Sequence, residues 1–219
     1  MSNTQEYSFF QHKIRQLCGR INTAFDMLKD YKVCKCNLSK VIVSDDIEET
    51  GANDSMPMRY WALDKALKDE TFTARDSFID IGCGQGRVLA YMLLKKQPCK
   101  LTGVELKESI ADYCKAWAQR YDNVEILCKN ALEIDYNQYT YLFLFNPFTS
   151  SMLEKFIYYL ESNLTKSVRL CFFGNNIIYR LLKDRPGWTL EKHGVSYKKG
   201  PLFIHYWPQK FAMYTYTPQ

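Results

Sequence analysis

A run of apolar residues that leads directly into three closely spaced glycines constrains this chain more than any other feature. Residues 78–88 read FIDIGCGQGRV, so an apolar run ends at Gly82 and a helical pattern begins after Gly86. The pattern predicts a buried strand, a glycine loop and a helix in immediate succession. Glycine permits a tight turn and lets a ligand approach the backbone, and the first turn of a helix offers unpaired amides. We therefore expect this segment to bind a ligand.

The spacing of the glycines and the position of one carboxylate distinguish two classes of ligand. Dinucleotides favour the pattern G-x-G-x-x-G, in which the pyrophosphate lies at the helix N-terminus. Here the spacing is G-x-G-x-G, and Asp80 stands two residues before the first glycine. A carboxylate at this place would repel a pyrophosphate, but it favours a cationic ligand such as S-adenosylmethionine, which carries an ammonium and a sulfonium group. A nicotinamide-dependent oxidoreductase remains the alternative from another class.

The segment resembles the first motif of the class I S-adenosylmethionine-dependent methyltransferases, [DE]-x-G-x-G-x-G. The resemblance implies that Asp80 lies close to the methionine end of the cofactor and that three glycines pass beneath it: Gly82, Gly84 and Gly86. Glu105 ends the next predicted strand, 19 residues after the last of these glycines. An acidic residue at about this distance can accept both ribose hydroxyls, and the resemblance assigns the same role. Leu106 is then expected to pack against the adenine.

Two further regions complete the predicted cofactor site. Similar methyltransferases often carry Asp where Asn130 stands, and the side-chain oxygen of Asn130 can accept from the adenine amino group. The backbone amides of Ala131 and Leu132 are expected to lie beside it. Tyr60 belongs to a helix predicted to open at Pro57, in a region that folds over the cofactor in similar enzymes, so we expect it to contact the cofactor or close the pocket.

The fourth predicted strand runs into Asn146, Pro147 and Phe148, which we predict to be the catalytic residues. Amino-methylating relatives carry [ND]-P-P-[YF] at this place, and small bacterial methyltransferases resemble this chain in having Asn-Pro-Phe. The resemblance implies that Asn146 orients an acceptor nitrogen and that Phe148 stacks on a planar substrate or forms a wall of the pocket. This chain has one proline, not two, and so departs from the pattern of relatives that methylate base amino groups. An oxygen acceptor and a turn that merely ends a strand are the alternatives. A protein that binds the cofactor without catalysis is a further alternative.

The order of predicted elements indicates an α/β fold with a doubly wound, mostly parallel, seven-stranded sheet. Residues 7–30 have apolar positions spaced by three or four, which predicts an amphipathic helix. This helix, a short extended piece and an acidic, turn-rich linker at 44–55 form an N-terminal extension over residues 1–56, and the methyltransferase domain covers residues 57–219. The predicted strands are 78–81, 101–105, 124–127, 141–145, 168–173, 189–195 and 211–217, with 202–206 forming or extending another.

Composition narrows the remaining possibilities. No apolar run approaches the roughly 18 residues of a membrane span, and the first residues lack a signal-peptide pattern, so we expect a cytoplasmic protein. The eight cysteines show no zinc-site spacing, and we expect free thiols and no metal. Residues 151–219 hold 10 Lys and Arg against 4 Asp and Glu. This excess could favour RNA, but a solvated surface is the preferred interpretation, and the sequence identifies neither the methyl acceptor nor the oligomeric state.

Overall fold

The computed structural model describes residues 9–174, 176–196 and 209–219, without the side chains of residues 9–12 and 15. The predicted strand at 202–206 lies outside these residues. The helices are α1 (Phe9–Cys34), α2 (Ile47–Thr50), α3 (Tyr60–Leu67), α4 (Arg87–Leu94), α5 (Glu108–Ala118), α6 (Ser150–Asn163) and α7 (Ile177–Leu182). The strands are β1 (Ser77–Ile81), β2 (Lys100–Glu105), β3 (Val124–Cys128), β4 (Tyr141–Phe145), β5 (Val168–Gly174), β6 (Trp188–Ser196) and β7 (Gln209–Tyr216).

The seven strands form one sheet in the order β3-β2-β1-β4-β5-β7-β6. Strands β1 to β5 are parallel, whereas β7 is antiparallel to both of its neighbours, so the predicted α/β fold with a mostly parallel sheet is confirmed. The central strand β4 is apolar throughout because helices cover both faces of the sheet. Since the carboxyl ends of parallel strands meet at one edge, the loops after β1, β2, β3 and β4 lie together there.

Two apolar clusters hold the helices against the sheet. One face packs against α3 and α4 through residues such as Phe78 and Phe143, and the other packs against α6 through residues such as Leu142 and Leu144. The first cluster also contains Val33, Cys34 and Leu38 from the predicted N-terminal extension. The packing is therefore continuous across residue 56, and the boundary between extension and domain stays a prediction.

Helix α1 follows the predicted helix but buries an unexpected side. Four of the apolar positions that indicated the helix are exposed: Leu17 by 58%, Ile21 by 40%, Phe25 by 58% and Leu28 by 67%. The buried stripe instead contains Cys18 and three polar residues, Asn22, Asp26 and Asp30. It can be polar because the two carboxylates pair with arginines of the domain, Asp26 with Arg59 at 2.9 Å and Asp30 with Arg87 at 2.6 Å.

The region between α1 and β1 also differs in detail from the prediction. Helix α1 continues to Cys34, into residues predicted to be extended, and the helix expected at Pro57 begins at Tyr60. The acidic linker contains the short helix α2, and Ile42 and Ser55 pair as an isolated antiparallel bridge. All eight cysteines are free thiols. Among the residues described, none of the helices combines the length and apolar character that a membrane span requires.

Candidate active site

A pocket lies at the carboxyl ends of the parallel strands, between the glycine loop and the segment that follows α1. The loops after β1, β2, β3 and β4 form one side, and residues 42–58 cover the other. Most of the predicted site residues line this pocket: Asp80, Gly82, Gly84, Glu105, Leu106, Asn130, Ala131, Pro147 and Phe148. Four predicted residues do not line it: Tyr60, Gly86, Leu132 and Asn146.

The glycine loop is closely packed as well as tightly turned. Gly82 has φ 72°, and a Cβ built there would lie 2.5 Å from Cβ of Pro147, so the loop and the predicted catalytic turn touch directly. Gly86 has φ 88°, and a Cβ at this position would lie 2.5 Å from Sγ of Cys114. Both positions require glycine by backbone conformation and by space. Gly86 therefore serves the packing of α4 against α5, and Gly82 shapes the pocket.

Asp80 is the buried carboxylate that the sequence placed beside the loop. It is 1% exposed, and its Oδ2 atom has no hydrogen-bond partner among the residues that the structure describes. Burial raises the pKa of Asp80 well above its ordinary value, and the nearby Glu105 raises it further. A buried carboxylate with an unpaired oxygen facing a pocket fits a cationic ligand, which would supply the missing charge and hydrogen-bond donors.

Glu105 is held in place by the backbone around it. Its Oε2 accepts the amide of Gly84 at 3.0 Å, and its Oε1 accepts the amide of Lys107 at 3.0 Å. Burial raises the pKa of Glu105, while these two hydrogen bonds act in the opposite direction. Each carboxylate oxygen has further lone pairs, so the group can still accept from two neighbouring hydroxyls. This geometry fits a ribose.

Asn130 has a local role that the sequence did not predict. Its Oδ1 accepts the amide of Leu132 at 3.0 Å and thereby caps the short 3₁₀ helix Ala131–Glu133. The side-chain oxygen of Asn130, predicted to accept from adenine, is thus hydrogen-bonded to the amide of Leu132. That amide is one of the two predicted to lie beside the adenine. Asn130 and Ala131 line the pocket, and their contact with adenine stays a prediction.

Tyr60 occupies a different place from the one predicted. Its ring is 1% exposed, and its hydroxyl donates to Oδ1 of Asp30 at 3.0 Å. Asp30 also accepts from Nε and Nη2 of Arg87, the first residue of α4, so Tyr60 belongs to a buried polar cluster between α1 and α4. The predicted contact between Tyr60 and the cofactor is therefore not supported, because the side chain points into the interior.

The Asn146–Pro147–Phe148 turn is braced by a residue that sequence reasoning missed. Nδ2 of Asn53 donates to the carbonyl oxygens of Asn146 at 3.0 Å and Phe148 at 2.8 Å, and its backbone amide donates to Pro147 at 2.9 Å. Asn146 itself has φ 43°, which is left-handed backbone. A residue persists there when its surroundings over-determine the conformation, and Asn53 supplies that constraint. The only signal in the sequence was its position in the turn-rich linker.

A second cavity adjoins the pocket on the far side of this turn. The two share Asn53, Asp54, Met56 and Phe145 as a common wall. Asn146 lines the second cavity, where its Oδ1 would lie 3.2 Å from a Cβ built at Gly174, whereas Pro147 and Phe148 line the first. Among the residues described, none makes a hydrogen bond to the Asn146 amide group. The arrangement places an unpaired amide at the boundary between two compartments.

Comparisons with known proteins agree with this architecture. Residues 78–161 match the family model of the methyltransferase domain. No curated protein matches the chain. An RNA methyltransferase from Salinibacter ruber, solved in complex with S-adenosyl-L-homocysteine, superposes with a TM-score of 0.56 and 15% identity over 75% of this chain and 95% of its own. A mutant of MtNAS in complex with S-adenosylmethionine superposes with a TM-score of 0.53 and 18% identity over 94% of this chain and 77% of its own. TrmN from Thermus thermophilus superposes with a TM-score of 0.54 and 14% identity over 74% of this chain and 49% of its own.

The matched domain, the sheet order and the pocket define an S-adenosylmethionine-dependent methyltransferase with the class I fold. The match to the family model runs from β1 into α6 and includes both the glycine loop and the Asn-Pro-Phe turn. The solved structures are less than 20% identical to this chain, so they describe its fold and leave its acceptor open.

Proposed function

We propose that this methyltransferase transfers the methyl group to a nitrogen atom that Asn146 orients. The observation that carries the proposal is the amide of Asn146, which makes no hydrogen bond to the described residues and belongs to a residue lining a cavity that shares a wall with the cofactor pocket. Such an amide can accept a hydrogen bond from an acceptor N–H without removing the proton. The left-handed backbone of Asn146 and the brace from Asn53 support a role that depends on one fixed orientation.

The residues of the pocket have separate roles in this proposal. Asp80 faces the cationic end of the cofactor, and Glu105 accepts from its ribose hydroxyls. Gly82, Gly84, Leu106, Asn130 and Ala131 form the remaining wall. When bound, S-adenosylmethionine supplies an electrophilic methyl group on a positively charged sulfur.

Orientation of the acceptor is the catalytic contribution expected of Asn146. The acceptor nitrogen would form the new N–C bond as the S–C bond of the cofactor breaks, and the electron pair of that bond would stay on the sulfur. The nitrogen then releases its proton to water, because an amide is no base. Holding the lone pair towards the pocket converts an encounter between two molecules into a reaction within one complex. The carbonyl of Pro147 accepts the backbone amide of Asn53 and keeps a second lone pair.

The test compares the wild type with Asn146→Ala and with Asn146→Asp. We expect the alanine variant to lose turnover on the true acceptor while calorimetry shows unchanged affinity for S-adenosylmethionine. The aspartate variant retains an acceptor oxygen and should keep more activity. Unchanged turnover in the alanine variant would refute the role of Asn146. Binding of NADH in place of S-adenosylmethionine would instead support the oxidoreductase alternative, and an Asp80→Ala variant that loses S-adenosylmethionine would exclude it.

A further inference from the structure

The cavity beside Asn146 continues as a groove across the antiparallel end of the sheet. A third cavity is lined by α7 and the edges of β6 and β7, and it shares Asn176 and Lys210 with the cavity that contains Asn146. The strand register joins Phe145 to Phe173, Phe173 to Phe211 and Phe211 to Gly194. Three spacings between neighbouring strands therefore separate the Asn146–Pro147–Phe148 turn, at the end of β4, from β6. This corresponds to a distance of roughly 14 Å. This length exceeds the reach of a small acceptor that fills only the cavity at Asn146.

The charges along this groove are mainly positive. Lys210 lies at the junction of the two cavities, where its Nζ donates to Oδ1 of Asn176 at 3.0 Å. Arg180 is exposed and forms no salt bridge within the part of the chain that the structure describes. No acidic residue is found among the described residues lining the outer cavity. Asp54 is the one acidic residue among those described around the inner cavity, and its Oδ1 accepts the amide of Ser44 at 2.8 Å.

The groove also carries groups that recognise planar, polar ligands. Tyr179 and His193 stand edge to face with their ring centroids 5.9 Å apart. At the inner end lie the amide of Asn146 and the buried Oε1 of Gln209, and neither group has a hydrogen-bond partner in the described part of the chain. Cations beside aromatic rings and amides suit a ligand that alternates anionic groups with planar bases.

We propose that the methyl acceptor is a nucleotide within a single-stranded nucleic acid, bound along this groove. The proposal rests on the proposed function, because the acceptor nitrogen then belongs to a base held at Asn146. Lys210 and Arg180 contact the phosphates on the side of that base that leads to β6. Methyl transfer would again form an N–C bond as the S–C bond breaks, and the base nitrogen would lose its proton to water.

The experiment measures binding of a fluorescent, mixed-sequence, single-stranded RNA to the full-length protein over a range of salt concentrations. Each phosphate contact contributes a slope of about −0.7 to log K against log salt for a single strand. The double variant Arg180→Ala/Lys210→Ala should therefore show a slope smaller in magnitude by about 1.4. The matched control is Lys100→Ala/Lys166→Ala, which removes the same charge near the amino ends of β2 and β5, at the opposite edge of the sheet. It should bind like the wild type, and thermal melting verifies that both proteins fold.

Further measurements identify the ligand. They also distinguish a failure of the nucleic-acid proposal from a failure of the proposed methyl transfer. Inorganic polyphosphate of equal charge should bind more weakly than the RNA, and the same strand as DNA shows which sugar is preferred. Labelled methyl groups from S-adenosylmethionine should enter the nucleic-acid fraction of a cell extract. Equal slopes for the two double variants, equally tight binding of polyphosphate, or label found only in protein or small metabolites would each overturn the nucleic-acid proposal. The last result would leave methyl transfer itself intact, whereas loss of cofactor binding would be a failure of the proposed function.

Discussion

Replacing Asn146 by glycine should make the protein more stable and inactive at the same time. Asn146 has φ 43°, and left-handed backbone costs a residue with a side chain up to roughly 1 kcal/mol, less for asparagine than for most residues, which glycine avoids. Its side chain is half-buried and makes no hydrogen bond to the described residues, so little is lost when it is removed. Because glycine also raises the entropy of the unfolded chain, we expect the free energy of unfolding to rise by at most about 1 kcal/mol and the melting temperature by at most about 2–4 °C. Turnover should fall roughly 100-fold, because the acceptor loses its orienting group.

The assay combines urea denaturation, turnover on the identified acceptor and calorimetry with S-adenosylmethionine. Asn146→Ala serves as the comparison, since it removes the amide but keeps the strained Cβ, and it should lose activity without gaining stability. Lys96→Gly is the matched control for strain alone, because Lys96 has φ 54° in the turn between α4 and β2, at the opposite edge of the sheet. It should gain stability and keep full activity. A glycine variant that retains turnover refutes the role of the amide, and one that loses stability refutes the strain argument.

Three other substitutions test the groups around the pocket. Burial raises the pKa of Asp80 above its ordinary value of 3.8, so its contribution to stability is present in acid and is lost as the pH rises through the pKa of the folded state. Asp80→Asn should accordingly have the same free energy of unfolding as the wild type near pH 3. At neutral pH its free energy of unfolding should be higher than that of the wild type by about 1.4 kcal/mol per unit of pKa difference. A difference that stays constant across the pH range would contradict this. Asn53→Ala removes two side-chain hydrogen bonds and should cost about 2 kcal/mol in urea denaturation, with kcat falling more than cofactor affinity; a proportional loss of both would argue against a role in bracing the turn. Asp30→Ala leaves the guanidinium of Arg87 buried without its partner and should cost about 3–5 kcal/mol, and a loss below 1 kcal/mol would show that water reaches this pair.

The features that could be predicted from the sequence are those with a local signal. The strand and loop at 78–86 are defined by an apolar run and by glycines at alternate positions, and the structure contains both. The sheet follows from strands that alternate with helices, because each crossover has few ways to pack. Glu105 was located by its distance from the glycine loop, and it lines the pocket.

The features that escaped prediction depend on contacts between distant parts of the chain. Asn53 contacts Asn146 across 93 residues, and nothing in the linker distinguishes this asparagine from its polar neighbours. The orientation of α1 was hidden for a similar reason. Its apolar positions indicate the wrong side, since Asp26 and Asp30 become compatible with burial only when Arg59 and Arg87 are brought to them. Tyr60 is buried because of the same cluster.

The segment between residues 44 and 58 serves two sites at once, and this has a kinetic consequence. It covers the cofactor pocket through Ser55 and Pro57, and through Asn53 it holds the carbonyl groups of the Asn146–Pro147–Phe148 turn. If the cofactor enters through an opening of this segment, that opening also withdraws the hydrogen bonds that shape the acceptor side. The acceptor would then meet a complete site only after the segment has closed. Initial-rate studies should accordingly find a compulsory order, in which the methyl donor enters first and its demethylated product leaves last.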